Sequence, residues 1–299
     1  LSAGIAAAVV LLSILLSRML TRKISTLLTA IRKVRAGAYE HRTHISGRDE
    51  IAQIGEEFNS LTDRLQTTET LRRRFVSDAS HELKTPLAAI RLLTDSILQT
   101  DQMDMETVRD FVTDIGSEAE RLSRITEDLL RLTRLDSDLL DAPETVEVAP
   151  VLEQVMRMMS LLAQEKGTEL TYRMEENCRV SATKGEVHQV IYNLTDNAVK
   201  YSGKNGKVRV ELRHEDHDVV LTVADNGPGI PEEDLPKVFE RFYRVDKARS
   251  RAAGGTGLGL SIVQDTVKKR GGTVSAANRA GGGAVFTVRW PEAEGGDHS

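Results

Sequence analysis

The sequence is poor in the features that would fix several function classes. A single cysteine, Cys178, stands in 299 residues, so no internal disulfide can form, which suits a reducing compartment without requiring one. Positive charge is not in excess: 45 acidic residues face 40 basic ones for a formal charge of -5. No field of the kind that holds phosphate backbones exists, and nucleic acid is not expected as a partner. There are no internal repeats. What is present, 40% apolar and 28% charged residues, describes a globular chain long enough for two or three domains.

Charge is also missing from residues 1–17, a stretch dominated by Ala, Val, Ile and Leu. Crossing a bilayer takes about 20 apolar residues, so this run reads as a truncated transmembrane helix. Arg18, Arg22 and Lys23 follow at once, the basic flank of a cytoplasmic boundary. A buried soluble helix is the alternative. No basic n-region or small-residue cleavage site marks a signal peptide. The chain is therefore expected at a membrane, with residues from about 18 onward in the cytoplasm.

Beyond the flank, Ile24, Leu28, Ile31 and Val34 recur at helical spacing until Gly37 and Gly47 interrupt. Ile51, Ile54, Phe58, Leu61 and Leu65 then form a narrow seam. Two short helices cannot bury such seams alone, which predicts a dimer. This arrangement, with Asp49-Glu50 before the second helix, resembles a HAMP linker, although Lys23 stands about where that family commonly has proline; a plain coiled-coil stalk is the alternative. A long apolar stripe follows: Phe75, Ala79, Leu83, Leu87, Ile90, Leu93 and Ile97. After a polar turn at Asp101 to Asp104 it resumes with Val108, Phe111, Ile115, Leu122, Ile125, Leu129 and Leu132. The pattern predicts a helical hairpin, two of which make a four-helix bundle. A linker is expected over 137–150. Beyond it, period-two runs at Val208, Val210, Leu212 and at Val219, Leu221, Val223 predict neighbouring strands. Helices near 151–166, 186–201 and 258–270 and closing strands at 273–277 and 285–290 complete an α/β sandwich.

His81 lies on the first arm of the hairpin in the run Ser80-His81-Glu82-Leu83-Lys84-Thr85-Pro86-Leu87. With Ala79, Leu83 and Leu87 turned inward, His81 faces water. Glu82 is adjacent and suits a base that takes the imidazole proton, while Thr85 sits one turn above on the same side. Pro86 removes the helix bond to the Glu82 carbonyl and predicts a local bend. A zinc-protease helix would need a second histidine where Thr85 stands. A plain surface histidine is the bland alternative.

Asn193 and Asn197 share a helix face in Asn193-Leu194-Thr195-Asp196-Asn197-Ala198-Val199-Lys200-Tyr201, so two amide oxygens can meet one Mg2+. Taken singly, each reads better as a structural asparagine. Asp225-Asn226-Gly227-Pro228-Gly229-Ile230 follows a strand and sets a carboxylate acceptor beside a glycine turn open to a flat ring. Gly254-Gly255-Thr256-Gly257-Leu258-Gly259-Leu260 opens a helix whose amides suit phosphate. Neither Walker A nor Rossmann spacing occurs.

The run around His81 resembles the H-box of sensor histidine kinases, and the three later runs resemble the N-, G1- and G2-boxes of GHKL ATP-binding domains, in that order. Phe239-Glu240-Arg241-Phe242-Tyr243-Arg244 is similar to the F-box. The resemblance implies a multidomain protein: a transmembrane helix over 1–17, a HAMP-like coiled coil over 18–70, a dimerisation and phosphotransfer hairpin over 71–136, the linker, an ATP-binding α/β sandwich of GHKL (Bergerat) type over 151–292, and a disordered tail over 293–299. It implies ATP-dependent phosphorylation of His81 and transfer to an aspartate of a response regulator. Thr85 would help return the regulator to its unphosphorylated form. ATP and Mg2+ are the implied ligands, held by Asn193, Asn197, Lys200, Tyr201, Asp225, Gly227, Gly229, Ile230, Arg244 and Gly255 through Leu260. Residues 245–256 would form the lid, where Lys247, Arg249 or Arg251 compete with Arg244 for phosphate. Hydrolysing GHKL enzymes carry a glutamate four residues before the Mg2+ asparagine; here that position is Asn193. A GHKL ATPase and a dimeric scaffold with a dead pocket are the rival readings.

Overall fold

The computed structural model describes residues 2–100, 103–136, 142–203, 205–246 and 255–293. They fall into two compact units, Leu1–Asp78 and Ala79–Ser299. The expected tail beyond Ala293 lies outside the described residues, as do lid positions Lys247, Arg249 and Arg251.

The first unit holds helix α1 (Ser2–Arg35) and the start of α2 (Glu50–Gln99). By length and composition α1 can cross a membrane, and its side chains from Ile5 to Leu20 have no cover. Gly37 and Gly47, both at positive φ, break the helical path between the two helices. The connector is pinned to α2 from several sides. Asn59 exchanges two hydrogen bonds of 2.9 Å with the backbone of Thr43. Arg42 Nε donates to Asp63 Oδ1 at 2.9 Å. Asp49 caps α2 through the Ala52 amide and accepts from Lys23 Nζ at 2.7 Å, and those two contacts hold its carboxyl below the usual range, the lysine acting most. Lys23 thus ties α1 to the start of α2 at the position where the HAMP family commonly has proline. Ala30, Val34, Ala52 and Thr62 are buried inside the unit, whereas Ile24, Leu28, Ile31, Ile54, Leu61 and Leu65 stay exposed. The predicted seam is therefore uncovered in one chain.

Helix α2 runs unbroken from the second seam through the first arm of the hairpin and past Pro86. A helix tolerates one missing amide bond when flanked by long helix-favouring runs. Helix α3 (Met105–Asp136) follows, its first turn capped by the Asp104 carboxylate on the Thr107 amide at 2.8 Å. Ile125 and Leu132 are fully buried. Leu87, expected to point inward, is 59% exposed, with Leu92 and Leu98; the inward face of this arm needs something beyond its own chain.

Residues 144–150, expected as the end of the linker, instead carry strand β1 (Glu144–Glu147) and the first turn of α4 (Val148–Glu165). β1 pairs antiparallel with β3 (Arg179–Ala182), with Val146 opposite Val180. The remaining strands are β2 (Glu169–Met174), β4 (Lys207–Glu215), β5 (Asp218–Asp225), β6 (Thr273–Asn278) and β7 (Ala284–Pro291). They form one sheet in the order β2-β4-β5-β7-β6, in which only the β2–β4 pair is parallel. Helices α4, α5 (Lys184–Tyr201) and α6 (Gly259–Lys269) pack against this sheet. The core lies between Leu152, Val155, Met156, Ile191, Leu194, Val263 and Val267 of the helices and Val210, Leu221, Val223, Phe286 and Val288 of the sheet. α5 starts where it does because Thr183 and Glu186 form a reciprocal capping box. Arg270 then clamps Glu186 with two bonds of 2.8 and 2.9 Å, fixing the end of α6 to the start of α5.

Candidate active site

Strand β5 ends at Asp225, and everything at this end of the sheet is built around its carboxylate. Asp225 is 4% exposed, and Oδ1 accepts from the amides of Gly227 at 2.8 Å and Ala284 at 3.2 Å. Burial pushes its carboxyl up, and the two amides partly oppose that. Only glycine fits beside it. A Cβ on Gly227 would run into the Tyr201 carbonyl, and one on Gly283 into the Asp225 carbonyl. Asn278 holds the backbone of Ile230 from both sides, donating at 2.6 Å and accepting at 2.8 Å.

Beside Asp225 opens a cavity of about 360 Å³, within the size range of small-molecule sites. Its walls bring together Asn193, Asn197, Lys200, Tyr201, Asp225, Gly229, Ile230, Arg244, Gly255, Thr256, Gly257, Gly259 and Leu260. Thirteen of the residues named from the sequence thus share one wall system. Gly227 shapes the turn from behind, and Leu258 is fully buried beneath the loop. Gly257 takes φ +74, and a Cβ there would press at 3.0 Å on the Phe242 backbone. That backbone is itself at φ 63 and donates its amide to the Gly257 carbonyl at 2.9 Å. The loop therefore delivers the N-terminus of α6 to the cavity with no side-chain cap on its first turn, which leaves amides and the positive helix end for an anion.

The two asparagines differ. Asn193 is nearly buried; its Oδ1 accepts from Gln189 at 2.9 Å and its Nδ2 donates to the Gly259 carbonyl at 3.1 Å. Asn197 lines the cavity half-buried. Lys200 pairs with Asp196 at 2.6 Å. Among the described residues no cluster of His, Cys, Asp or Glu has the makeup of a metal site, and the cavity lining includes the neutral amide side chains of Asn193 and Asn197. Such neutral ligands fit a hard divalent cation that brings its own anionic ligand.

One wall was not legible from the motifs. Arg124, Glu127, Asp128 and Arg131, at helical spacing on α3, line the same cavity. Asp128 Oδ2 accepts the Thr256 hydroxyl at 2.8 Å, and burial raises its carboxyl despite that bond. Lys269 Nζ reaches the Leu135 carbonyl at 2.8 Å. The polar stripe on α3 was the available signal; nothing local says what it faces. Tyr243 was also not singled out: its hydroxyl donates to Asp234 at 2.6 Å, a bond that, more than burial, pushes its pKa up to about 12.

His81 is exposed. Thr85 donates its hydroxyl to the His81 carbonyl at 3.1 Å, and Pro86 is buried. Glu82 Oε2 accepts from Arg121 Nη2 and from Arg244 Nη2, each at 3.0 Å. Arg244, named from the sequence as a phosphate contact, thus reaches the residue next to His81.

Comparison with known proteins agrees with this geometry. The HAMP domain model matches residues 15–67, the His Kinase A (phospho-acceptor) domain matches 71–138, and the histidine kinase-, DNA gyrase B- and HSP90-like ATPase matches 182–294. Signal transduction histidine-protein kinase BaeS of Escherichia coli is 31% identical over 283 residues, covering 94% of this chain and 60% of its own length. The kinase AfsQ2 of Streptomyces coelicolor is 34% identical over 313 residues, covering 97% of this chain and 57% of its own. The chain therefore spans about 60% of the length of these curated relatives. Histidine kinase ThkA, solved in complex with response regulator protein TrrA, shares the fold with a TM-score of 0.61 at 23% identity, covering 83% of this chain and 69% of its own. Three consecutive domain matches and relatives along nearly its whole length show that the chain belongs to the two-component sensor histidine kinases.

Proposed function

We propose that this chain binds ATP with Mg2+ in the cavity beside Asp225, moves the γ-phosphoryl group to His81, and passes it to an aspartate of a response regulator. The observation that carries the reading is the Arg244–Glu82 contact, because it links a residue lining the cavity to the neighbour of the acceptor histidine. Asp225 meets the adenine amine, with Gly227, Gly229 and Ile230 leaving room for the ring. Gly255 through Leu260 and the start of α6 meet the phosphates, aided by Lys200, Tyr201 and Arg244. Asn197, joined by Asn193 if Gln189 releases it, holds Mg2+, which neutralises phosphate charge when bound. A nitrogen of His81 attacks the γ-phosphorus, the bridging oxygen leaves with ADP, and Glu82 takes the proton from the other nitrogen. Asn193 occupies the place of the water-activating glutamate of hydrolysing relatives, so the site favours a nucleophile brought to it.

The exposed stripes Ile24–Ile31, Ile54–Leu65 and Leu87–Leu98 support a homodimer, with the hairpins as a four-helix bundle. Anchored by α1 in a bacterial inner membrane, with residues from about 18 onward cytoplasmic, the HAMP linker would transmit repacking to the hairpin. Thr85 is the residue for dephosphorylating the regulator; ThkA's complex with a response regulator supports that partner class. Incubation with labelled ATP and Mg2+ is expected to give acid-labile, alkali-stable label that His81→Ala removes. Label persisting in His81→Ala would refute the acceptor.

A further inference from the structure

Glu82 is held from two directions, and only one of them belongs to the nucleotide cavity. Arg244 lines the cavity; Arg121 does not. Arg121 stands on α3 with its side chain 6% exposed, and a guanidinium so enclosed requires a carboxylate partner. A local one is available one turn earlier on the same helix. Yet Arg121 Nη1 stays 3.7 Å from Glu118 Oε2, beyond hydrogen-bond range, and that oxygen is buried with no hydrogen-bond partner among the described residues. The arginine keeps only an ion-pair distance to its neighbour and gives its hydrogen bond to Glu82 on the other arm, at 3.0 Å. A merely charge-balancing arginine would satisfy Glu118 first.

We propose that Arg121 is the positioning residue for Glu82, holding the carboxylate beside His81 so that it can receive the imidazole proton. The two arginines both meet Oε2, which leaves Oε1 as the oxygen available to receive the imidazole proton. As one nitrogen of His81 forms the N–P bond and the bridging oxygen departs with ADP, the proton on the other nitrogen moves to Oε1. This inference rests on the reading of His81 as acceptor and Glu82 as base. Arg121 does not line the nucleotide cavity, so its effect falls on turnover and not on nucleotide affinity.

The test uses the full chain as a dimer, measuring initial rates of His81 labelling across ATP concentrations. Arg121→Met keeps the buried stem and removes the charge; Arg121→Lys keeps a charge without the fork. Arg121→Met is expected to lower kcat about tenfold or more with KM for ATP within about twofold, and Arg121→Lys to fall between it and the unsubstituted chain. In a Glu82→Gln background the Arg121→Met substitution should have no further effect. The proposal is overturned if both variants keep kcat within about twofold, if the loss appears in KM, or if it is undiminished on top of Glu82→Gln. Circular dichroism checks folding; should Arg121→Met not fold, Arg121→Lys decides alone by the same criteria. Absence of label on His81 in the unsubstituted chain would overturn the kinase reading and this inference with it.

Discussion

Arg244 Nη2 lies 3.0 Å from Glu82 Oε2, a bond that spans 162 residues of sequence. Arg244 is 4% exposed in its side chain, and burial pulls its pKa down while the Glu82 carboxylate works the other way. Removing it leaves Arg121 on Glu82 but severs the link to the nucleotide cavity. Arg244→Ala is expected to slow His81 labelling at saturating ATP by about tenfold or more. Combined with Glu82→Gln, the two losses should be less than additive in free energy. Initial-rate measurements on the four proteins of the cycle decide this, and full additivity would contradict a direct pairing.

Asp225→Ala removes the acceptor of two backbone amides as well as the group for the adenine amine. Titration calorimetry should show nucleotide affinity weakened about ten- to a hundredfold. Denaturant unfolding should show a loss of about 1–3 kcal/mol, since the part-buried Gly227 amide and the buried Ala284 amide lose their partner. Unchanged affinity would remove Asp225 from the nucleotide site.

The helical hairpin, the central strands and the cavity's glycine loops were legible because each carries a local signal: spacing of three and four, period-two alternation, or glycine ahead of a helix. β1, β2 and β3 were not. β2 sits at the sheet edge with nearly every residue exposed, so no alternation marks it, and β1 and β3 are four residues each. Helix α2 runs straight across residue 70 because nothing between Leu65 and Phe75 stops a helix. Leu87 shows the limit of such a stripe: it says that a face is covered, not by which chain. Arg121, Arg244 and Asp128 each found their partner through tertiary placement alone, which no sequence spacing encodes.

Asp128 carries a pH signature. Its carboxyl is raised above the ordinary 3.8 mainly by burial, with Thr256, Arg131 and Lys200 acting downward and Glu127 upward. Below the ordinary value both folded and unfolded chains are protonated there. As pH climbs through the raised value the folded state must bury a charge, so this contribution to stability is lost with rising pH. Asp128→Asn keeps an acceptor for Thr256 and cannot ionise, so its thermal midpoint relative to the unsubstituted chain should climb as pH increases from 3.8 upward. A difference that stays flat with pH would contradict the buried placement.

Gly257→Ala forces a side chain onto a φ of +74 and against the Phe242 backbone at 3.0 Å. The strain is of order 1–3 kcal/mol, and it falls on the loop that presents the α6 amides. ATP affinity should drop by about tenfold or more, measured by calorimetry, while the hairpin, monitored as dimer mass by light scattering, is unaffected.

The central claim, that ATP's phosphate goes to His81 and not to water, is tested most directly by a single-turnover experiment that counts protein-bound phosphate and released phosphate together. The full chain with Mg2+ and labelled ATP is quenched in alkali, digested and mapped by mass spectrometry. The account predicts phosphate on the peptide containing His81, matching the ADP formed, and little free phosphate while no response regulator is present. Free phosphate equal to ADP with no modified His81 peptide would contradict it.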